Sequence, residues 1–407
     1  MKTISRKLKI AFVLDRYLPS RGGERYFSWL AQELSRRGHE VHVFATAIEE
    51  NSGTECQVHR IPVVRYPRSV KILSFLVNSS RAIRPYDFDI IHGVGQSLAM
   101  NVFNPHGGVE RAYLKQDFVS ITNRFYYLYK FVRRYLLPQH YVKVWVQRRQ
   151  YLSHRVKKII AISSMVKRDI IQHYGVPEGK IVVVFNCVDL DRFHPGNQEK
   201  HRVAKRAEMG IGEKSIILLF AGNNYRLKGL EPLLHALVSL KQWFPSQPFQ
   251  LLIAGRGQTR RYLRIARRLG VSDAVLFLGS VKEMERYYAA SDIYVHPTFY
   301  DSCSLTVLEA LASGLPVVTS RFNGAADAIV SNEGGRVIRN PADVEELAHS
   351  IAFYFDEERR NKARVVARRW MEKYSPAYNV EETSRVYYEV ADAAGCGELH
   401  EGSASVQ

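Results

Sequence analysis

Two acidic side chains, Asp301 and Glu309, lie eight positions apart in the stretch HPTFYDSCSLTVLEALASGLPVV, residues 296–318. The apolar pattern predicts a buried strand that ends at His296 and a helix that ends at Gly314. Asp301 then lies in the loop between them, and Glu309 lies within the helix. Carboxylates suit hydroxyl-rich ligands, because each oxygen accepts charge-assisted hydrogen bonds. An N-capping aspartate and a helix-surface glutamate would give the same pattern without a ligand.

The start of that helix is a candidate anion site. The first backbone N–H groups of a helix have no partner within the helix, and the helix dipole adds partial positive charge there. Such a terminus holds a diphosphate without a metal ion. Three residues are expected to present these groups, namely Ser304, Leu305 and Thr306.

A lysine beside a second predicted helix is another candidate anion ligand. In FAGNNYRLKGL, residues 220–230, a strand is followed by a loop, and Lys228 stands at the start of an amphipathic helix. The helix dipole disfavours a cation at that end, so this position argues for a bound anion. An ordinary lysine of the first helical turn is the alternative.

Alternating strand and helix patterns must position these groups. The first half contains the apolar strand KIAFVLD, the helix ERYFSWLAQELSRRGHE and the strand VHVFATA. The second half repeats the alternation in SIILLFAG, KGLEPLLHALVSLKQ, FQLLIAGRG and RRYLRIARRLG. The alternation predicts an α/β fold with two Rossmann-like, doubly wound parallel-sheet domains that face a central cleft.

The chain has 407 residues, too many for one compact core. We expect an N-terminal domain over residues 1–185 and a C-terminal domain over residues 186–375, joined near the turn-rich FNCVDLDRFHPGN. Residues 111–158 read as an insertion in the N-terminal domain. A last helix, at about residues 376–394, is expected to pack back on that domain.

The inserted segment 111–158 carries most of the positive charge of the chain. It contains twelve lysines and arginines against one acid, Asp117, while the whole chain has a net charge of +18. Interleaved aromatic rings and long basic side chains suit the surface of an anionic membrane. The arginines expected to bind that surface are Arg133, Arg134, Arg148 and Arg149.

Two other interpretations of the segment stay open. Nucleic acid also attracts basic, aromatic segments, but the sequence contains no recognised nucleic-acid module, so no nucleic-acid partner is expected. A pair of solvated basic helices without a partner is the remaining alternative.

Residues 296–318 resemble the donor-binding signature of glycosyltransferase family 4, in which two acids separated by seven residues are followed by LEALASGLPVV. The first acid is Asp301 where the family usually has Glu, and Ser304 replaces a usual Gly. FAGNNYRLKGL resembles the strand–loop–Lys-Gly element of the same family. The resemblance covers about residues 8–392 and implies the GT-B fold.

The resemblance implies roles for the candidates in the second half. Lys228 and Arg226 would bind the diphosphate of a nucleotide-sugar donor, together with the amides at the helix start. Glu309 would hold the ribose, and Asp301 would hold the transferred sugar. The backbone near Val281, in FLGSV, would recognise the nucleobase.

Two elements of the first half also match the family. PSRGGER resembles its glycine loop, in which Gly22 and Gly23 would let the backbone approach the sugar and phosphate; a simple helix-starting turn is the alternative. NPHGGVE resembles the segment of the pocket histidine, so His106 would contact the donor sugar. A lone histidine is also commonly structural.

Within the family, the basic aromatic insertion and the run HPTFYDSCSLTVLEALASGLPVVTSRFNGAAD resemble enzymes that add glucose to the inner core of lipopolysaccharide. This implies a retaining hexosyltransferase that moves glucose from a UDP-sugar to a lipid-linked saccharide on the inner face of the cytoplasmic membrane. No cofactor or metal is expected, because the DxD triplets at residues 87–89 and 189–191 are not placed to chelate a donor. A nucleotide-sugar epimerase and a non-enzymatic basic binding protein are the rival interpretations.

Overall fold

The structure is a computed structural model that describes residues 6–18, 22–49 and 55–401. The chain divides into two compact units. The first unit is made from Met1–Ala112, Leu128–Phe185 and Ala377–Gln407, and the second from Tyr113–Tyr127 and Asn186–Pro376.

A seven-stranded parallel sheet forms the centre of the first unit, in the order β3-β2-β1-β4-β5-β6-β7. Its strands are β1 (Lys9–Tyr17), β2 (Glu40–Ile48), β3 (Gln57–Arg60), β4 (Ile90–Val94), β5 (Val102–Asn104), β6 (Lys158–Ala161) and β7 (Ile181–Val183). Residues 10–14 of β1 are apolar and buried on both faces, as a central parallel strand requires.

The helices that accompany this sheet are α1 (Gly22–Arg36), α2 (Arg68–Ile83), α5 (Pro138–Leu152) and α6 (Ser164–Tyr174). Two further helices, α3 (Glu110–Val119) and α4 (Arg124–Leu136), are divided between the two units, because Tyr113–Tyr127 belongs to the second. Part of the core lies between β1, β2 and α2, where Val13, Phe44 and Phe75 pack together. A 3₁₀ turn at Glu178–Lys180 precedes β7.

The second unit is built on a six-stranded parallel sheet, in the order β10-β9-β8-β11-β12-β13. Its strands are β8 (Ile216–Ala221), β9 (Phe249–Ala254), β10 (Val275–Gly279), β11 (Ile293–His296), β12 (Val317–Ser320) and β13 (Gly335–Ile338). In both sheets the order reverses beside the first strand, which is the Rossmann arrangement. The predicted fold class, two doubly wound parallel-sheet domains, is therefore confirmed.

The helices of the second unit are α7 (Asn197–Glu208), α8 (Leu230–Trp243), α9 (Thr259–Arg268), α10 (Met284–Ala290), α11 (Leu305–Ala312), α12 (Val344–Ala352) and α13 (Glu357–Met371). Short 3₁₀ turns occupy Ser272–Ala274, Gly324–Ala328, Phe353–Phe355 and Glu372–Tyr374. The leucine spacing of α8 explains why this segment forms a helix that packs on the sheet. The leucines recur at helical spacing and are fully buried, namely Leu230, Leu233, Leu237 and Leu240.

One part of the basic insertion lies in a different unit from the one predicted. Tyr113–Tyr127 belongs to the second unit, whereas the sequence placed all of residues 111–158 in the N-terminal domain. Side-chain contacts give the reason. Asp117 pairs with Arg226, and the ring of Tyr113 meets that of Tyr300 edge to face at 5.9 Å. An ion pair and an aromatic contact across such a sequence separation are not visible in the local pattern.

The last helix, α14 (Pro376–Glu401), lies with the first unit. Asn379 accepts a hydrogen bond from the hydroxyl of Tyr26 at 2.9 Å, and Glu389 pairs with Lys158 at 2.6 Å. The hydroxyl of Tyr387 contacts Nδ1 of His92 in β4. These contacts hold the C-terminal helix against the sheet of the first unit.

Acidification is expected to destabilise the protein through His92. Burial, with a smaller contribution from His106, lowers the pKa of His92 to about 3, whereas histidine in an unfolded chain titrates near about 6.5. His92 is therefore neutral in the fold and gains its proton on unfolding. Its stabilising contribution is complete above pH of about 6.5 and is lost progressively as the pH falls towards 3, at about 1.4 kcal/mol per pH unit.

Urea unfolding measured between pH 7.5 and 4.5 checks this expectation. A His92→Leu variant should lose that part of the pH dependence, although it starts from a lower stability. His154 is exposed in the same unit, so His154→Leu should keep the slope of the parent protein. Identical slopes for the parent and His92→Leu would contradict the assignment.

Candidate functional site

The candidate site of the second unit lies where its strand order reverses, between β8 and β11. Ligands of open α/β sheets bind at such a point, beside the carboxyl ends of the strands. The loops that follow the two strands are joined, because the carbonyl oxygen of Leu227 accepts hydrogen bonds from the amide of Phe299 at 2.7 Å and the hydroxyl of Thr298 at 3.1 Å. These hydrogen bonds fix the positions of the two loops relative to each other.

Three charged or titratable side chains meet at this point. The ammonium group of Lys228, from the loop after β8, pairs with Oδ2 of Asp301, from the loop after β11. Nε2 of His296, the last residue of β11, lies 3.5 Å from the same oxygen. Lys228 and Asp301 retain only 18% and 17% of their side-chain exposure. The sequence assigned Lys228 to a phosphate and Asp301 to a sugar, and the structure brings these two side chains into direct contact.

The charge states of the group follow from its surroundings. Burial alone would raise the pKa of Asp301, but Lys228 and His296 lower it below its ordinary value. Burial lowers the pKa of His296, against a smaller opposing contribution from Asp301. Near neutral pH, Asp301 is therefore a carboxylate and His296 a neutral imidazole. The group offers a fixed ammonium donor beside carboxylate acceptors, which suits a ligand with both phosphate and hydroxyl groups.

Glu309 is held by a neighbouring helix. The hydroxyl of Tyr288, in α10, donates to Oε2 of Glu309 at 2.9 Å and lies 3.1 Å from the carbonyl oxygen of Thr306. Burial, and then the charge of Glu309, raises the pKa of Tyr288 well above its ordinary value, so the hydroxyl remains a donor. Glu309 therefore has a fixed orientation one helical turn after the start of α11.

The start of α11 differs in one respect from the prediction. The amide of Ser304 donates to Oδ1 of Asn323 at 3.2 Å, so it is not available to a diphosphate in this structure. The reason is tertiary, since Asn323 follows β12 and comes beside Ser304 only when the sheet forms. Leu305 and Thr306 are the first two residues of α11, and their amides remain the candidate anion donors.

Arg226 lies in surroundings other than those predicted. Its guanidinium pairs with Asp117 and donates to the carbonyl oxygen of the same residue at 2.7 Å. It also lines a cavity of about 360 Å³ whose wall includes Asn223, Arg261 and Tyr262, but neither Lys228 nor Asp301. The structure therefore does not group Arg226 with Lys228, because the guanidinium charge is already met by a buried carboxylate.

The other predicted site residues occupy separate places. Val281 follows β10 in the loop before α10, and it is half-buried. In the first unit, His106 is half-buried and its ring stacks on Tyr26 at 5.5 Å. Gly22 and Gly23 are the first residues of α1, but their surroundings lie outside the described residues. The roles that the resemblance implied for these four residues remain predictions.

The predicted membrane arginines lie on two helices. α4 carries Arg133 and Arg134 in its last turn and has no buried residue, while Phe125 at its start is 86% exposed. Arg148 and Arg149 are exposed near the end of α5. In the part of the chain that the structure describes, no helix has the length and apolar character to cross a bilayer.

One acid of each DxD triplet has a partner within the protein. Asp89 accepts a hydrogen bond from the amide of Lys9 at 2.8 Å and pairs with Arg6. Asp189 accepts a hydrogen bond from the amide of Arg192 at 3.0 Å. Among residues 6–18, 22–49 and 55–401, no group of three His, Cys, Asp or Glu side chains is arranged to hold a metal ion.

Sequence reasoning missed three residues that shape the site, His296, Tyr288 and Asn323. His296 and Asn323 could have been found, because each ends or closely follows a strand beside the switch point. Tyr288 gave no such signal, since its position on α10 faces Glu309 only through the tertiary packing.

Two Rossmann-type sheets are present, and the second carries a lysine–carboxylate group at its switch point, an arrangement that suits anionic, hydroxyl-bearing ligands. Two family models match the chain, described as "Glycosyltransferase Family 4" over residues 20–192 and "Glycosyl transferases group 1" over residues 215–357. The chain therefore belongs to the family 4 glycosyltransferases, and it is a glycosyltransferase of the GT-B fold.

Individual relatives are more distant. The lipopolysaccharide glucosyltransferase WaaG of Escherichia coli is 23% identical over 83% of this chain and 87% of its own length. A crystal structure of WaaG superposes with a TM-score of 0.75 at 22% identity, covering 92% of this chain and 98% of the other. A D-inositol 3-phosphate glycosyltransferase of Catenulispora acidiphila is 31% identical, but over only 50% of this chain and 49% of its own.

A third relative was solved with a ligand. The structure of Anabaena HepE in complex with UDP superposes with a TM-score of 0.69 at 17% identity, covering 94% of this chain and 100% of HepE. At identities below 25%, these solved structures establish the fold alone.

Proposed function

We propose that this protein transfers glucose from UDP-glucose to a hydroxyl group of a lipid-linked saccharide of the lipopolysaccharide inner core, with retention and without a metal ion. The observation that carries the proposal is the group formed by Lys228, Asp301 and His296 beside the start of α11. The similarity to a lipopolysaccharide glucosyltransferase over 83% of this chain supports the acceptor class, and the UDP in HepE supports the donor class.

The proposed mechanism assigns charge stabilisation to the protein. Lys228 and the amides of Leu305 and Thr306 stabilise the diphosphate as it leaves, because a fixed donor is worth most where charge develops in the transition state. Asp301 orients the sugar hydroxyl groups and Glu309 orients the ribose. The departing phosphate oxygen takes the acceptor proton on the same face of the sugar, so no protein nucleophile is needed. Arg226 has no part in this proposal, because Asp117 already pairs with it.

An acceptor-dependence assay tests the proposal. The protein is incubated with UDP-glucose, UDP-galactose or GDP-mannose, with and without a truncated lipopolysaccharide acceptor, in buffer that contains EDTA. We expect consumption of UDP-glucose only with the acceptor, and an α-linked product by NMR. Conversion of the donor without an acceptor would instead indicate an epimerase, and binding without turnover would indicate a non-enzymatic binding protein.

We also propose that the protein acts as a peripheral protein on the inner face of the cytoplasmic membrane. The exposed aromatic and basic side chains of α4 support this, since each basic residue near an anionic surface adds about 1 kcal/mol. Flotation with anionic vesicles should recover the parent protein, and a variant with Arg133, Arg134, Arg148 and Arg149 changed to Glu should stay unbound. Equal flotation of both proteins would contradict the proposal.

A further inference from the structure

A basic cavity of about 640 Å³ lies at the carboxyl end of α5 in the first unit. Its wall contains Arg148, Arg149 and Arg155, together with His154. None of the described residues that line it is acidic. Three arginines thus line one cavity. Arg148 and Arg149 also belong to the proposed membrane surface, but neither that surface nor the donor site of the second unit accounts for Arg155 or for a cavity at this position.

The partial negative charge at the carboxyl end of α5 offsets only a small part of the positive charge of the three arginines. The carboxyl end of a helix carries the equivalent of about half a negative charge, far less than three guanidinium groups. Arg149 is the basic residue of the last turn of α5, whereas Arg155 lies beyond the helix. The carbonyl oxygen of Ser153 already accepts a hydrogen bond from Nζ of Lys180 at 2.9 Å. The remaining positive charge is available to an anionic ligand.

An aromatic side chain adds a second element of recognition. The guanidinium carbon of Arg149 lies 5.3 Å from the ring centroid of Trp145, a cation–π contact that holds the arginine in place. Trp145 is 46% exposed and lines the cavity together with Leu98 and Leu152. A flat apolar wall of this kind suits one face of a sugar ring, while guanidinium N–H groups suit phosphate oxygens.

We propose that this cavity binds a phosphate monoester carried on a sugar. A phosphate monoester carries about 1.5 to 2 negative charges near pH 7, which the three arginines that line the cavity can balance. The volume falls within the range of about 300–1,000 Å³ typical of small-molecule sites, so the cavity has room for the sugar as well as the phosphate. The proposal does not depend on sugar transfer by the second unit.

Calorimetric titration of the full-length protein tests the proposal, with glucose 6-phosphate, inorganic phosphate and glucose as probes. We expect saturable binding of one glucose 6-phosphate, weaker binding of phosphate and none of glucose. Changing Arg148 and Arg155 together to Gln should weaken glucose 6-phosphate binding at least about tenfold, because charge-assisted hydrogen bonds are lost. Trp145→Leu should weaken binding of glucose 6-phosphate more than binding of inorganic phosphate, because it removes the apolar wall as well as the cation–π contact of Arg149.

The matched control changes Arg133 and Arg134 of α4 together to Gln, which removes the same charge outside the cavity wall and should alter the affinity less than twofold. Lys228→Met should also retain the binding, which separates this cavity from the donor site. Equal weakening by the two arginine pairs would overturn the proposal. Binding of phosphatidic acid vesicles through Arg148 and Arg155, without binding of glucose 6-phosphate, would also overturn it, because the cavity would then recognise a lipid headgroup.

Discussion

A Lys228→Met variant is expected to transfer sugar with a kcat about 100- to 1,000-fold lower than the parent protein, the range seen when one preorganised donor to a developing negative charge is removed. The ammonium group is held by Asp301 at the switch point of the second sheet, so it is already oriented before a ligand binds. The measurement is the steady-state rate with the acceptor-dependent assay. Lys241→Met is the matched control, because Lys241 is an exposed lysine of α8 that pairs with Asp273.

A double variant separates loss of chemistry from loss of structure. Removing Lys228 alone leaves the half-buried carboxylate of Asp301 without its cation, which we expect to cost about 1–3 kcal/mol of unfolding free energy. Changing Asp301 to Asn as well should restore most of this stability but none of the rate, because the ammonium group is still absent and the sugar also loses the Asp301 carboxylate. If the double variant regained activity along with stability, the ammonium group would have only a structural role.

The ion pair between Lys228 and Asp301 also predicts how the stability of the fold changes at acid pH. Because Lys228 and His296 lower the pKa of Asp301, the carboxylate stabilises the fold fully above its unfolded pKa of about 3.9. That contribution is lost as the pH falls through the lower folded pKa. Lys228→Met removes the largest cause of the lowering, so this variant should lose the part of the acid dependence that Asp301 supplies.

A Gly229→Ala variant is expected to lose about 3 kcal/mol of unfolding free energy, near the upper end of single-substitution effects. Gly229 precedes α8 with φ at 78°, a backbone conformation that side chains rarely adopt. A Cβ at this position would lie 2.0 Å from the carbonyl oxygen of Pro297, which is backbone and cannot rotate away. The loop that carries Lys228 would therefore have to move away from the loop after β11.

Gly210→Ala is the matched control for backbone strain. Gly210 lies in the same unit with φ at 67°, but a Cβ there would meet no atom within 4 Å. It should lose only the cost of the left-handed conformation, about 1–2 kcal/mol. Urea unfolding followed by tryptophan fluorescence measures both variants, since Trp243 ends α8. Equal losses in the two variants would show that contact with Pro297 does not limit this position.

Much of the fold was predictable because it depends on local pattern. The buried apolar run of β1 and the leucine spacing of α8 each determine an element and the face that it buries. The position of residues 113–127 was not predictable, since it depends on Asp117 meeting Arg226, 109 residues further along the chain. A periodic sequence pattern does not indicate a contact between residues so far apart in the chain.

The sequence by itself determined the class of this protein, the order of its strands and helices, and the identity of Lys228, Asp301 and Glu309 as candidate ligands. Only the tertiary structure decided how these residues are paired. In the structure, Lys228 forms an ion pair with Asp301, and Arg226 forms an ion pair with Asp117. The amide of Ser304 donates a hydrogen bond to the side chain of Asn323. The physical reason is that strands distant in the chain become neighbours only in the sheet, so the loops at their carboxyl ends meet partners that local spacing does not specify.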